Sequence, residues 1–272
     1  MAVVGALRSR LLSGSLHAHS NGLAFSQQTR LKRHFSSHKI LVKLDEATGV
    51  AVMKIKNPPV NSLSLDFLTE FSISLEKLEM DRECRGLILT SASPKIFSAG
   101  LDITEMYGKS AEHYGEFWRA VQEMWLKLYG SNMVTGSSLA GGCLMALCCD
   151  YRIMADNPKY AIGLNENQLG FVAPFWVKDA MSSVVGNRVT EQALQLVPEE
   201  KVQGTAASVM AQWLTVPDHA RQITKSMMHK QTTDKLVNNR EADIKNFVSF
   251  VSRDSIQKSL QVYMERLRQR KQ

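Results

Sequence analysis

Three short stretches carry residue types that could act together in a reaction. "FSAGLDI" (97–103) places a small residue and a glycine after an apolar run. Such a loop lets backbone N–H groups approach a ligand closely. "AGGC" (140–143) opens a helical pattern with two glycines. The first N–H groups of a helix lack intrahelical partners, and glycine lets a polarised oxygen come near them. Glu166, within "AIGLNENQLG" (161–170), is a carboxylate in a run otherwise short of charge. Two N–H donors from different loops would form an oxyanion hole, and a carboxylate facing it could carry a proton. Each stretch also has an ordinary reading: a strand-to-helix loop, tight packing of a helix on a strand, and a solvated acid. The chemistry requires all three to converge.

The elements that must position them follow from periodicity. "GVAVMKIKN" (49–57) is β-branched and partly alternating, so it predicts a strand. "NPPVNSLS" (57–64) predicts a turn built on Asn and Pro. Leu65, Leu68, Phe71, Leu75 and Leu78 then recur at helical spacing. "GLILTS" (86–91) is a continuous apolar run suited to a strand covered on both faces. Together these make a βαβ unit. Residues 92–103 read as a loop and 111–129 as a helix, with Tyr114, Phe117, Val121, Met124 and Leu128 on its core side. "AGGCLMALCC" (140–149) reads as a buried helix and "DYRIMAD" (150–156) as a strand. A charged, amphipathic helical tail runs from about Asp218 to the end and should pack on the body or on another subunit.

Composition bounds the class. The 272 residues can bury one substantial core. No apolar stretch is long enough to cross a bilayer as a helix. The formal charge is +7, and six of the basic residues lie in 1–39, which contains no Asp or Glu; the remainder carries +1. The excess is therefore read as a leader and not as a nucleic-acid footprint. Its Ser- and Arg-rich, acid-free composition predicts a mitochondrial transit peptide, with "KRHFSS" (32–37) resembling a matrix-protease site. The spacing of Cys84, Cys143, Cys148 and Cys149 fits neither a zinc site nor a disulfide framework.

The blocks "NPPVNSLS", "FSAGLDITEM", "AGGCLMALCCDYRIMADNPKY", "IGLNENQLG", "APFWVKD" and "NFVSFVSRDSIQKSLQVYMERL" resemble the crotonase (enoyl-CoA hydratase/isomerase) superfamily, in particular its enoyl-CoA isomerases. The resemblance runs from about residue 40 to the end. It implies an α/β fold, a crotonase-like spiral of ββα units, with a C-terminal helical region that helps form a homotrimer. The domains expected are a leader (1–39), a catalytic core (40–217) and the helical region (218–272). The implied substrate is an acyl-CoA thioester, so coenzyme A arrives as part of the substrate and no separate cofactor is expected. The implied oxyanion donors are the N–H groups of Ala99 and Gly141. Substrate contacts map to Ala99, Gly100, Leu101, Asp102, Ile103, Gly141 and Asn165, and the catalytic acid/base to Glu166. No metal site and no nucleic-acid partner is expected.

The implied reaction moves the double bond of a 3-enoyl-CoA, cis or trans, to the 2-trans position in mitochondrial-matrix fatty-acid β-oxidation. Hydratases of the superfamily carry a second Glu in the glycine-led helix, and here that position is Leu144. Two stretches depart from the pattern. "SNMVTGSSLAGG" (131–142) keeps only "MVTG" of a buried strand, and "ALQLVPEEKV" (193–202) joins what the family separates by a turn, a helix and a strand. A variant that binds acyl-CoA without turnover, and another crotonase reaction such as hydration or thioester hydrolysis, are the competing readings.

Overall fold

The computed structural model describes residues 34–129, 137–139, 141–149, 152–155, 159–160, 162–163, 171, 174–185, 195–197 and 201–269. Its elements alternate in a pattern of two strands followed by a helix. β2 (Ile40–Asp45) and β3 (Val50–Ile55) lead into α1 (Leu65–Met80). β4 (Gly86–Ser91) and β5 (Ile96–Ser98) lead into α2 (Ala111–Leu128). After β6 (Ser137–Leu139) and α3 (Gly141–Leu147), the order β7 (Ile153–Ala155), β8 (Ile162–Gly163), α4 (Phe175–Val185) repeats it. β9 (Gln195–Val197), α5 (Val202–Trp213), α6 (Asp218–Val251) and α7 (Asp254–Gln269) complete the chain. This is the mixed α/β architecture with C-terminal helices that the family blocks imply.

The βαβ unit forms as its periodicity predicts: β3 and β4 pair in parallel, from Val50 opposite Gly86 to Ile55 opposite Ser91. β4 is buried along nearly its whole length because both faces are covered. α1 starts where Ser64 Oγ accepts the Phe67 N–H, and it buries Phe67, Leu68, Phe71, Leu75 and Leu78. Burying each of these large side chains contributes about 1.5–3 kcal/mol. α2 is capped the same way by Ser110 and buries the five residues expected.

Differences from the sequence reading lie in short elements. Residues 92–103, expected as a loop, contain β5 and the start of a 3-10 turn at Ile103–Glu105. β5 is stabilised by parallel pairing with β6, a partner about 40 residues on that no local period reveals. "MVTG" itself lies outside the described residues, but the adjacent Ser137–Leu139 forms a strand between β5 and β8. At the second departure, Gln195–Val197 pairs in parallel with β7, register Ile153 to Gln195 and Ala155 to Val197. Three-residue strands thus occupy both shortened stretches and satisfy ladder groups that would otherwise be unpaired.

The C-terminal helical region is made of two helices. α6 ends at Val251, where the Ser252 N–H turns back to Val248 and Phe250, and Asp254 begins α7. β1 (His34–Ser36) lies inside the stretch expected as leader and pairs antiparallel with β2. Ser37 Oγ donates to Glu70 of α1 at 2.5 Å and accepts the Ile40 N–H, tying this edge to the core.

Candidate active site

The loop 57–64 and the loop 99–103 are built as one piece around Asn61. Its backbone is left-handed, φ 52°, a conformation Asn tolerates better than most residues. Asn61 Oδ1 accepts the Asn57 N–H at 2.8 Å, and Nδ2 donates to Ser91 Oγ and to the Phe97 carbonyl, each at 2.8 Å. The Asn61 carbonyl accepts from Ser98 Oγ at 2.7 Å, and Ser98 Oγ in turn accepts the Gly100 N–H at 3.1 Å. The sequence marks Asn61 only as a turn residue, because a neighbourhood of turn formers carries no sign of a buried hub.

These bonds decide which amide is available. The Ala99 N–H donates to the Val60 carbonyl at 3.0 Å, and the Asp102 N–H donates to the Leu63 carbonyl at 3.1 Å. With Gly100 spent on Ser98, the amide of Leu101 is the member of 99–102 that meets no acceptor among the described residues. The expectation that Ala99 supplies an oxyanion donor is therefore corrected: its N–H is consumed in holding two loops together. Gly100, at φ 93°, makes the turn that brings Leu101 round, and no other residue type adopts this angle without strain.

Gly141 opens α3 against this loop. A Cβ built on it would lie 3.1 Å from Leu63 Cδ1, 3.2 Å from Leu101 N and 3.3 Å from Leu101 Cδ2. The two expected segments thus come together, with the Leu101 and Gly141 backbones in close approach. Gly142 serves packing: its Cβ would sit 2.7 Å from the Ser98 carbonyl oxygen. The tight-packing reading of the glycine pair is correct for Gly142, and Gly141 also borders the open amide.

Asp102 is committed to the loop. Its Oδ2 accepts from Ser62 Oγ at 3.0 Å, and Oδ1 accepts from the Thr104 N–H at 3.0 Å and Thr104 Oγ1 at 2.7 Å. This carboxylate shapes the 3-10 turn. Ile103 and Leu101 are partly buried and pack on the main core. Glu105 locks the turn to both helices: Oε1 accepts the Leu65 N–H at 2.9 Å, and Oε2 meets His113 Nε2 at 2.6 Å. Leu144 is 4% exposed within a wholly buried α3, so no charge occupies that position. Asn165 and Glu166 lie outside the described residues. Among the described residues, no group of His, Cys, Asp or Glu could hold a metal ion.

Comparison with known proteins agrees with this architecture. The enoyl-CoA hydratase/isomerase family matches residues 45–197 and again 193–271. Residues 193–197 fall in both segments. Enoyl-CoA delta isomerase 1, mitochondrial, of Rattus norvegicus is 60% identical over 262 residues, covering 88% of this chain and 91% of the relative. The crystal structure of human mitochondrial delta3-delta2-enoyl-CoA isomerase superimposes with a TM-score of 0.81 at 57% identity, covering 86% of this chain and all of that one. Crotonyl-CoA hydratase of Syntrophomonas wolfei is 32% identical over 157 residues, covering 56% of this chain and 60% of the relative. On the match along nearly its whole described length, this chain belongs to the enoyl-CoA hydratase/isomerase family.

Proposed function

We propose that this protein is an enoyl-CoA delta isomerase that converts 3-enoyl-CoA, cis or trans, to 2-trans-enoyl-CoA in fatty-acid β-oxidation. The observation that carries the reading is the close approach of the open Leu101 amide to Gly141, on a helix that holds Leu144 where hydratases hold an acid. The relatives at about 60% identity are isomerases by name, which supports the same reaction here.

Abstraction of a proton from C2 leaves an enolate whose charge rests on the thioester oxygen. The N–H groups of Leu101 and Gly141 stabilise that oxygen, each by about 3 kcal/mol if it acts like a protease oxyanion donor. Glu166 takes the C2 proton and returns it to C4, so the double bond enters conjugation with the carbonyl. One carboxylate suffices because no water is added. Hydration needs a second group to position and split water, and the hydrocarbon of Leu144 offers none. Residues 99–103, Gly141 and Asn165 line the acyl-CoA, while the Ala99 amide and the Asp102 side chain also hold the loop in shape.

The test is Glu166→Gln in the purified chain. Growth of conjugated enoyl-thioester absorbance from a 3-enoyl-CoA should cease, with acyl-CoA affinity retained. Full activity in that variant removes Glu166 from the mechanism. The second reading, acyl-CoA binding without turnover, is favoured by one observation: β6, only three residues long, immediately precedes the Gly141 helix. Binding with cooperative unfolding but no wild-type turnover would select it.

Assembly as a homotrimer is proposed on the family resemblance; a light-scattering mass other than three chains refutes it. The mitochondrial names of the relatives support delivery to that organelle, and the leader reading specifies the matrix. Failure of residues 1–39 to carry a fused fluorescent protein into mitochondria would overturn that. Processing within "KRHFSS" would also remove part of β1, the edge strand of the first sheet.

A further inference from the structure

One buried serine touches both segments that carry the oxyanion donors. Ser98 is the last residue of β5. Its Oγ donates to the Asn61 carbonyl at 2.7 Å and accepts the Gly100 N–H at 3.1 Å, so it grips the loop that bears Leu101. Its backbone pairs with Ser138 of β6, the strand that ends two residues before Gly141. On α3, a Cβ built on Gly142 would stand 2.7 Å from the Ser98 carbonyl oxygen and 2.9 Å from Ser98 Cβ. The serine that grips the loop is therefore itself packed against the helix that opens with Gly141.

The grip acts on the most easily rotated residue of the loop. Gly100 has no Cβ to restrict it, and its φ of 93° is one of many angles open to glycine. Two hydrogen bonds narrow that freedom. The Gly100 N–H to Ser98 Oγ fixes the peptide before it, and the Leu63 N–H donates to the Gly100 carbonyl at 2.8 Å, fixing the peptide after it. That second peptide carries the Leu101 N–H. In a planar trans peptide the N–H points opposite to the carbonyl, so it faces away from Leu63. A hydroxyl is the side-chain group that can give a bond to Asn61 and take one from Gly100 through one atom.

We propose that Ser98 is a positioning residue for the reaction: its hydroxyl holds the Gly100 turn, and so the aim of the Leu101 N–H at the thioester oxygen shared with Gly141. The proposal rests on the reading of Leu101 and Gly141 as the donor pair. Two donors that must converge on one oxygen are sensitive to displacement, since a shift of about 1 Å can cost on the order of a hundredfold in rate.

Ser98→Ala removes the grip, and Ser91→Ala is its control. Ser91 Oγ accepts from Nδ2 of the same Asn61 at 2.8 Å and from the Ser93 N–H at 2.9 Å, at the far side of the hub from Gly100. Both variants should fold with a lowered Tm. Ser98→Ala should lower kcat on a 3-enoyl-CoA about tenfold or more with KM little changed, while Ser91→Ala keeps kcat near wild type. The second readout is the infrared carbonyl stretch of bound, isotope-labelled butanoyl-CoA, a saturated thioester that cannot isomerise. Aimed N–H donors polarise the carbonyl and lower its frequency in the wild type. That shift should shrink in Ser98→Ala and persist in Ser91→Ala. Ser98→Cys, whose thiol gives and takes only weak hydrogen bonds, should fall between Ala and wild type in both readouts, and replaces Ala if that variant does not fold. A wild type that polarises the carbonyl without turnover refutes the isomerase reading alone, and the infrared comparison still decides the role of Ser98. A wild type that binds the thioester without shifting its carbonyl refutes the donor pair and the proposal with it. Wild-type kcat and carbonyl shift in Ser98→Ala overturn the proposal, as do equal losses in Ser98→Ala and Ser91→Ala.

Discussion

Placing a methyl group on Gly141 tests the oxyanion pair directly. The added Cβ would stand 3.2 Å from Leu101 N and about as far from the side chains of Leu63 and Leu101. These are closer than ordinary van der Waals contacts, so the loop must give by a few tenths of an ångström. The methyl also occupies space beside the N–H that is to receive the thioester oxygen. Overpacking of this kind costs about 1–3 kcal/mol of stability. Loss of one oxyanion donor costs about a hundredfold to a thousandfold in kcat. Gly141→Ala should therefore fold cooperatively with a modestly lower Tm, and its kcat on a 3-enoyl-CoA should fall by two orders of magnitude or more. Gly142→Ala is the contrasting case: its Cβ would lie 2.7 Å from a backbone oxygen of β5, so stability should suffer more than in Gly141→Ala. A folded Gly141→Ala enzyme with wild-type kcat refutes the assignment of Leu101 and Gly141 as the donors.

Asn61→Ala strands the Asn57 N–H and the Phe97 carbonyl and puts Ala at a left-handed φ. At about 1–3 kcal/mol for each buried group left unpaired, the loss should exceed about 2 kcal/mol in urea denaturation; a loss well under 1 kcal/mol would disprove the hub. Burial alone would raise the Glu123 carboxyl, but hydrogen bonds and charge from Arg240 and Lys127 outweigh it and hold it below its ordinary value. Its contribution is therefore present above the unfolded-state value and disappears as pH falls through the folded one. Because the side chain is 39% exposed, Glu123→Gln should cost about 1 kcal/mol or less at pH 7. Denaturation across the acid range should show the difference from wild type shrinking toward zero; a gap that widens on acidification reverses the sign argument.

Much of the scaffold is written locally. The spacing of Leu65, Leu68, Phe71, Leu75 and Leu78 fixed α1, and the apolar run 86–91 fixed β4, because one buried face or two covered faces leave a period in the chain itself. The family blocks located the loop at 99–103 and the glycine-led helix for the same reason: each is contiguous. What the sequence alone could not determine is where the hydrogen bonds go. Whether Ala99 or Leu101 keeps an open amide depends on Val60 and Leu63, about 40 residues away, and on the buried Asn61 that sets their register. The three-residue strands β5, β6 and β9 exist only because distant strands present unpaired groups to them. Asp243 reads as one more charge on a solvated helix until α2 and α4 bring two indoles to it. Local sequence sets which faces are apolar; the partner of each polar backbone or side-chain group is a property of chain segments meeting in space, and only the tertiary structure decides it.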